Sequence, residues 1–421
     1  MERLSYPELY LWDTPMKGLR DPQGRELVSP PTLREMRIDS AVNTFDIDAH
    51  ILSEDGMLQA RQWKNVILYS DEMDPAVLDY WRSLGWEKRL YCADQLEEKW
   101  SCLYPLSASS PESADRLYPL YFVLHGGTTP PFEMEGNGFC ESTAADEPII
   151  IIPQNFSIEG VLRLYRYALE NFPVDRSRVY ASSFCGGNRS TQVALRYPEI
   201  FAAIAPCGNP LRENYKPVMW YPDYERVRRL GLPCCHIDGL DDITQLLPLW
   251  HSGDPALSES PRHPGRTYDM PLAKREYKVS CLRDYLFTFG CRDVTPDEVF
   301  ACEFSENPVL RATGAPADQT EIISVYGKKH FVARFRNQFD RYWLEIVAIE
   351  SLGHFPDASL GKAAWDFLRR FRRDMATGAV IDMSASSQVS PPPGPFTPDR
   401  WMNDITNREK GYNTAWDGTP V

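Results

Sequence analysis

The sequence lacks the features of a membrane, secreted or nucleic-acid-binding protein. It has no run of about 18 apolar residues, the minimum for a membrane-spanning helix, and its first residues lack the basic and apolar segments of a secretory signal. We therefore expect a cytoplasmic protein without a membrane partner. Asp and Glu number 59 against 45 Lys and Arg, a net charge of −14, and no basic patch stands out. Nucleic acid is not an expected partner, because acidic surfaces repel phosphates.

Metal-ligand spacing is also missing. None of the ten cysteines forms a CxxC pair, and no Cys and His spacing matches a zinc site. His236, Asp238, Asp241 and Asp242 are a weak metal set, because neighbouring side chains on a strand face opposite ways. The sequence thus predicts no metal, no other cofactor, and cysteines that are mostly reduced and buried.

Composition and length indicate a globular chain of more than one part. Hydrophobic residues make up 43% and charged residues 25% of the 421 residues, and domains average about 150 residues. We predict an N-terminal accessory region at 1–105 and a main domain at 106–377 with a long insertion at about 248–320. Residues 378–421 read as an extended, Pro-rich tail.

The main region alternates between two kinds of segment. Apolar runs such as YFVL at 121–124 and IIII at 149–152 are typical of strands buried on both faces. Helical patterns separate them, for example at 161–172 and 188–201. This alternation predicts an α/β fold with a mostly parallel central sheet.

A sharp turn between a predicted strand and a predicted helix carries Cys185. A hydrolase nucleophile elbow needs a small residue two positions before the nucleophile and Gly two positions after it. Ser183 and Gly187 satisfy this rule around Cys185, whereas the rule fails around Ser183. A helix N-terminus favours the thiolate. The alternative is a buried structural cysteine, the usual state of a free thiol.

Glycine-rich backbone could bind a developing oxyanion. His125 and two glycines follow the strand at 118–124, so the N–H of Gly127, with that of Gly186 after the nucleophile, could form the oxyanion hole. The alternative is a plain turn that ends a strand.

Two adjacent aspartates follow the strand at 232–239, and a histidine follows a later strand. Asp241 and Asp242 compete for the role of the acid that orients a histidine, and both could simply cap a turn. His354 comes after both, which gives the order nucleophile, acid, histidine of α/β-hydrolases. A lone loop histidine is otherwise usually a surface residue.

The segment 118–210 resembles the polyhydroxybutyrate-depolymerase and feruloyl-esterase group of α/β-hydrolases. The matching pieces are LHGG, GFCESTAADEPIIIIPQ and DRSRVYASSFCGGNRSTQVALRYPEIFAAIAPCGNP. HIDGLDD is similar to that family's His-Gly-Thr-x-Asp and LGHFPD to its Gly-Gly-His-Thr-Trp-Pro, which implies Asp242 as the acid and His354 as the base. The chain departs from the family pattern at Cys185, where a serine is usual, and at Ser183 and Asn188, where glycine is usual.

The resemblance implies an α/β-hydrolase fold and an esterase. The expected activity is hydrolysis of a carboxylic ester or thioester through Cys185, His354 and Asp242, by way of a covalent acyl-enzyme. The expected substrate is a small-molecule or carbohydrate-linked ester. Acyl transfer, peptide hydrolysis and a degenerate hydrolase that serves as a binding module remain as alternatives. The sequence leaves the oligomeric state open.

Overall fold

The computed structural model describes residues 75–93, 98–125, 134, 138–153, 158–184, 189–208, 223–240, 272–352, 356–384 and 396–402. The chain divides into two compact units. Unit 1 comprises Met1–Tyr180 and Pro356–Trp365, and unit 2 comprises Ala181–Phe355 and Asp366–Val421.

Twelve strands lie within the described residues. They are β1 (Trp86–Ala93), β2 (Glu98–Pro105), β3 (Tyr118–Leu124), β4 (Ile149–Pro153), β5 (Val174–Phe184), β6 (Ala203–Cys207), β7 (Cys234–Gly239), β8 (Gln319–Val325), β9 (Lys328–Arg336), β10 (Tyr342–Ile349), β11 (Phe371–Arg373) and β12 (Val380–Asp382).

The α-helices of the described residues connect these strands. They are α1 (Pro75–Ser83), α2 (Ile158–Asn171), α3 (Arg189–Arg196), α4 (Tyr224–Leu230), α5 (Leu272–Thr288), α6 (Pro296–Ala301), α7 (Pro308–Thr313) and α8 (Ala358–Leu368). None of them has the length and apolar composition needed to cross a membrane.

Strands β1 to β10 belong to one sheet with the order β1-β2-β4-β3-β5-β6-β7-β10-β9-β8. The pairs β3–β4, β6–β7 and β7–β10 are parallel. The pairs β1–β2, β2–β4, β9–β10 and β8–β9, which lie towards the two edges, are antiparallel. Every residue of β3, β4, β6 and β7 is buried, as expected for strands covered on both faces. The predicted α/β-hydrolase fold with a mostly parallel central sheet is thus confirmed.

An aromatic cluster forms part of the core of unit 1. The ring of Trp365 on α8 lies 5.2 Å from that of Tyr121 and 5.5 Å from that of Tyr180, between ring centroids. Its indole N–H donates to Asp146 Oδ2 at 2.8 Å. The hydrogen bond satisfies the one polar group that this buried side chain brings into the core.

A buried arginine ties together the last segments of unit 2. The guanidinium of Arg373 donates to the carbonyls of Phe201, Gly231 and Gly378. Burial lowers the pKa of Arg373 to about 10, so this group is still protonated at neutral pH. Because each carbonyl would otherwise be buried without this donor, the arginine holds three separate backbone segments together.

The C-terminal part of the chain differs from its prediction. The sequence predicts one helix up to residue 377, but α8 ends at Leu368 and β11 pairs with β12 in an antiparallel hairpin. Trp401, in the predicted surface tail, is fully buried. The alternating burial of Phe371 and Arg373 around exposed Arg372 requires a strand, because two residues with the same environment are two positions apart.

The N-terminal boundary also contains more structure than predicted. Strands β1 and β2 precede residue 106, and β2 pairs with β4, so residues 86–105 contribute to the sheet. The division at residue 105 as a domain boundary stays a prediction. The helix expected near 74–86 is present as α1, whereas the strand expected at 66–70 lies outside the described residues.

Candidate active site

All of the predicted site residues lie in segments outside the described residues. These are Cys185, Gly186, Gly127, Asp241, Asp242 and His354. Their roles therefore stay predictions. The residues on either side of each segment are described, however, and they define where each segment leaves the fold.

The predicted nucleophile lies between the end of β5 and the start of α3. Only residues 185–188 separate Phe184 from Arg189. Strand, short connection and helix follow one another as a nucleophile elbow requires. Ser183, the small residue two positions before Cys185, is buried, and its hydroxyl lies 2.7 Å from that of Ser190 in the first turn of α3.

The strand end before Cys185 is closely packed. The ring of Phe184 lies against Gly208, which follows β6, and a Cβ on that glycine would come within 2.5 Å of the ring. Gly208 also has a φ of 58°, in the left-handed region that favours glycine. Its N–H donates to the carbonyl of Ile237 on β7 at 2.8 Å. The end of β5 is therefore packed against the segment that joins β6 to β7.

The predicted acid follows β7 and the predicted base follows β10, and these strands are parallel neighbours. Asp238 is paired with Ala348 and Gly239 with Ile349. Past the end of β7, the N–H of Leu240 donates to the carbonyl of Ile349 at 2.9 Å. Since parallel strands have their carboxyl ends at the same edge of a sheet, the chain leaves β7 and β10 at one edge.

A second backbone contact continues this alignment. A Cβ on Gly239 would lie 2.1 Å from the carbonyl oxygen of Leu352, so the two backbones touch where only a glycine fits. Ser351 just before it has a φ of 54°, which turns the chain sharply. Asp242 follows Leu240 by two residues and His354 follows Leu352 by two.

His125 marks the start of the other predicted oxyanion segment, in unit 1. It directly follows β3 and is buried, with 4% of its surface exposed. A buried histidine at a strand end is a structural residue rather than a freely exposed base. Gly127 lies two residues beyond it, outside the described part of the chain.

A buried His–Asp pair occupies β7 before the predicted acid. Nε2 of His236 lies 3.0 Å from Oδ2 of Asp238, and both side chains are buried. The two residues share a face because they are two positions apart. The ring of Tyr285 on α5 contacts His236 edge-on at 5.6 Å, and its hydroxyl lies 3.0 Å from Sγ of Cys234. Among the described residues, no group of three or more His, Cys, Asp and Glu side chains could hold a metal ion.

The eight cysteines whose side chains the structure describes are free and buried. Burial raises the pKa of the Cys302 thiol to about 11 and that of Cys291 to about 12. It also raises the pKa values of Cys102, Cys207, Cys234 and Cys235. These thiols are protonated at neutral pH and therefore poor nucleophiles, which sets a low background for chemical labelling of Cys185.

Sequence reasoning missed three residues that position these segments. They are Ser190, Gly239 and Leu352. The hydroxyl of Ser190 is one of many in the sequence, and only its contact with Ser183 distinguishes it. Gly239 is the one with a usable signal, because a glycine that directly ends a strand often marks a close approach of two backbones.

No protein-family model matches the chain, and no curated protein matches it. The chain is similar to the solved structure of an acetyl xylan esterase from Aspergillus awamori, at 11% identity and a TM-score of 0.39. The match covers 67% of this chain and 99% of the esterase. It is also similar to a ferulic acid esterase, at 16% identity and a TM-score of 0.29. This match covers 37% of this chain and 79% of the esterase.

A third similar structure is that of a thermostable esterase, at 18% identity and a TM-score of 0.28, where the match covers 38% of this chain and 48% of that one. The match thus spans about half the length of that esterase. All three are named as esterases, and the ferulic acid esterase carries the name of the group that the sequence resembles. At these TM-scores and identities the likenesses assign no activity to this chain.

We predict that Gly239→Ala destabilises the protein by more than about 2 kcal/mol. The new Cβ would clash with the backbone of Leu352, which can move only by straining the packed structure. Gly327→Ala is the matched control: Gly327 has a φ of 84° with no atom within 4 Å of the added Cβ, so it carries only the cost of a left-handed residue, about 1–2 kcal/mol. Urea unfolding of both variants measures the difference. An equal or smaller loss for Gly239→Ala would contradict the close contact with Leu352.

Proposed function

We propose that this chain is a carboxylic ester or thioester hydrolase that acts through Cys185, His354 and Asp242. The observation that carries the proposal is the position of three segments at strand ends in unit 2. The segments that hold the predicted nucleophile, acid and base leave the ends of β5, β7 and β10 in that order. The order nucleophile, acid, histidine is that of α/β-hydrolases. The fold and the esterase-like resemblance of the sequence support the same reading.

The proposed reaction begins with the thiol of Cys185. His354 takes the thiol proton, and the sulfur attacks the ester carbonyl carbon, which forms a C–S bond and an oxyanion. The N–H groups of Gly186 and Gly127 bind that oxyanion. The intermediate collapses when the C–O bond to the alcohol breaks and His354 returns the proton to the leaving alkoxide. The acyl group is then held as a thioester.

Hydrolysis of the thioester completes the cycle. His354 takes a proton from water, and the hydroxide attacks the thioester carbonyl. The C–S bond breaks, the carboxylic acid leaves, and the proton on His354 returns to the Cys185 sulfur. Asp242 holds the histidine in the required tautomer and stabilises its protonated form. An amine or thiol could replace the water, which would make the same site an acyltransferase.

The proposed substrate is a small-molecule or carbohydrate-linked ester. The net charge of −14 disfavours strongly anionic substrates such as polyphosphates. The proposed steps use protein groups and water.

Replacement of Cys185 tests the nucleophile. With p-nitrophenyl acetate and butyrate, we expect a burst of p-nitrophenol from the wild type that Cys185→Ala abolishes, with kcat reduced by at least about a thousandfold because no covalent route remains. Cys302→Ala, which removes a buried thiol of raised pKa, is the matched control and should keep the wild-type rate. Stoichiometric iodoacetamide should label Cys185 first in a peptide map.

Two other outcomes would change the proposed function or its nucleophile. If the wild type is inactive while Cys185→Ser gains activity, the chain is a hydrolase scaffold with a disabled nucleophile, and a binding role takes precedence. If Cys185→Ala hydrolyses both esters at the wild-type rate, the proposed nucleophile is wrong.

The choice between the two adjacent aspartates can be tested directly. We predict that Asp242→Asn lowers kcat by about 100-fold to 10,000-fold, because the amide holds His354 in the wrong tautomer. Asp241→Asn, which removes the neighbouring charge, is the matched control and should change kcat by less than about threefold. Steady-state kinetics with p-nitrophenyl butyrate decide it, and the reverse pattern would assign the acid to Asp241.

A further inference from the structure

We propose that Ser183 and Ser190, here called the serine pair, are positioning residues for the nucleophile Cys185. This inference rests on the proposed function and names the contacts that hold the nucleophile in place. Oγ of Ser183 lies 2.7 Å from Oγ of Ser190. Ser183 Oγ also accepts the backbone N–H of Ser190 at 3.4 Å. The serine pair thus joins the second-last residue of β5 to the first turn of α3. The segment that holds Cys185 lies between them in the sequence.

The burial of the serine pair indicates that the contact matters. Ser183 is 2% exposed and Ser190 is fully buried. A hydroxyl moved out of water costs free energy unless it regains a hydrogen bond. The size rule of the elbow would be met as well by alanine or glycine at position 183. The hydroxyl is therefore not needed to fill space, and its partner on α3 explains its presence.

The strand side of the segment is already fixed by packing. The ring of Phe184, next to Cys185, lies against Gly208. The other flank of the segment is the start of α3. The serine pair restricts that flank, because it joins the first helical turn directly to the strand.

The consequence for Cys185 is electrostatic. The N-terminal turn of a helix carries a partial positive charge that stabilises a nearby thiolate and lowers the thiol pKa, and the effect falls off within one turn. The serine pair joins the start of α3 to the end of β5. Because Cys185 directly follows β5 in the sequence, we expect the pKa of its thiol to depend on this contact. Ser183 in addition satisfies one of the backbone N–H groups that a helix leaves unpaired at its start.

The experiment compares Ser183→Ala, Ser190→Ala and the double variant with the wild type. Thr313→Val is the matched control, because Thr313 is a fully buried hydroxyl that donates to a helix carbonyl on α7. Iodoacetamide labelling of Cys185, quantified by mass spectrometry from about pH 5 to about pH 10, gives the pH profile of the thiol. Kinetics with p-nitrophenyl butyrate give kcat and KM, and circular dichroism checks the folding of each variant.

We expect each single variant to label Cys185 about fivefold more slowly at neutral pH, the effect of one lost hydrogen bond, and its profile to shift to higher pH. kcat should fall by a similar factor with KM unchanged. The double variant should be no worse than Ser183→Ala, because the hydroxyl of Ser190 contributes only through its contact with Ser183. Thr313→Val should keep the wild-type profile even if it is less stable.

The two proposals fail in different ways. Additive effects in the double variant, or profiles unchanged in both single variants, would overturn the role of the serine pair and leave the hydrolase proposal intact. A shifted Cys185 profile in a protein whose wild type hydrolyses no ester would support the serine pair and overturn the hydrolase proposal. A shift equal to that of Thr313→Val would show a loss of stability only and would overturn the positioning role.

Discussion

The contact between the end of β7 and the segment after β10 is the constraint on which the candidate site depends. Gly239 meets the backbone of Leu352 at a distance that admits no side chain, and Leu240 donates to Ile349 just beside it. These two contacts extend the parallel register of β7 and β10 past the last strand residues. The two loops that hold the predicted acid and base are far apart in sequence, yet they start from neighbouring points. An acid that orients a histidine requires such a start.

Backbone and side-chain contacts also hold the end of β5 in unit 2. β5 is followed by a short segment and then by α3, and the serine pair and the Phe184–Gly208 contact hold both flanks of that segment. The candidate site is thus framed by described contacts within unit 2, while the predicted reacting groups lie in the connections themselves.

Most of the fold could be predicted from the sequence because its strands are buried on both faces. Apolar runs such as those of β3 and β4 are unambiguous when they are short and bounded by turn residues. β9 was not predicted, because its apolar run at 331–333 is short and charged residues flank it, namely Lys328, Lys329, Arg334 and Arg336. Arg334 lies against Glu345 of β10, and only the tertiary structure shows that partner. α8 was predicted too long because Arg373 reads as a solvent-facing helix residue, whereas it is buried among carbonyls.

The site could be predicted in order but not in geometry. Cys185, Asp242 and His354 follow from an elbow pattern, a strand end and their sequence order, all of which are local features. The contacts of Gly239 and of the serine pair join residues whose partners no local pattern identifies. Backbone approach and buried hydroxyl pairs are long-range results of packing, so they become visible only once the strands are placed.

The most direct test of the central claim is the mass of the protein quenched in acid during turnover of p-nitrophenyl butyrate, followed by peptide mapping. We expect one butyryl group per chain, attached to Cys185 as a thioester that hydroxylamine removes. A butyryl group on a serine such as Ser183, or no covalent adduct in a protein that turns over the ester, would contradict the proposed thiol mechanism.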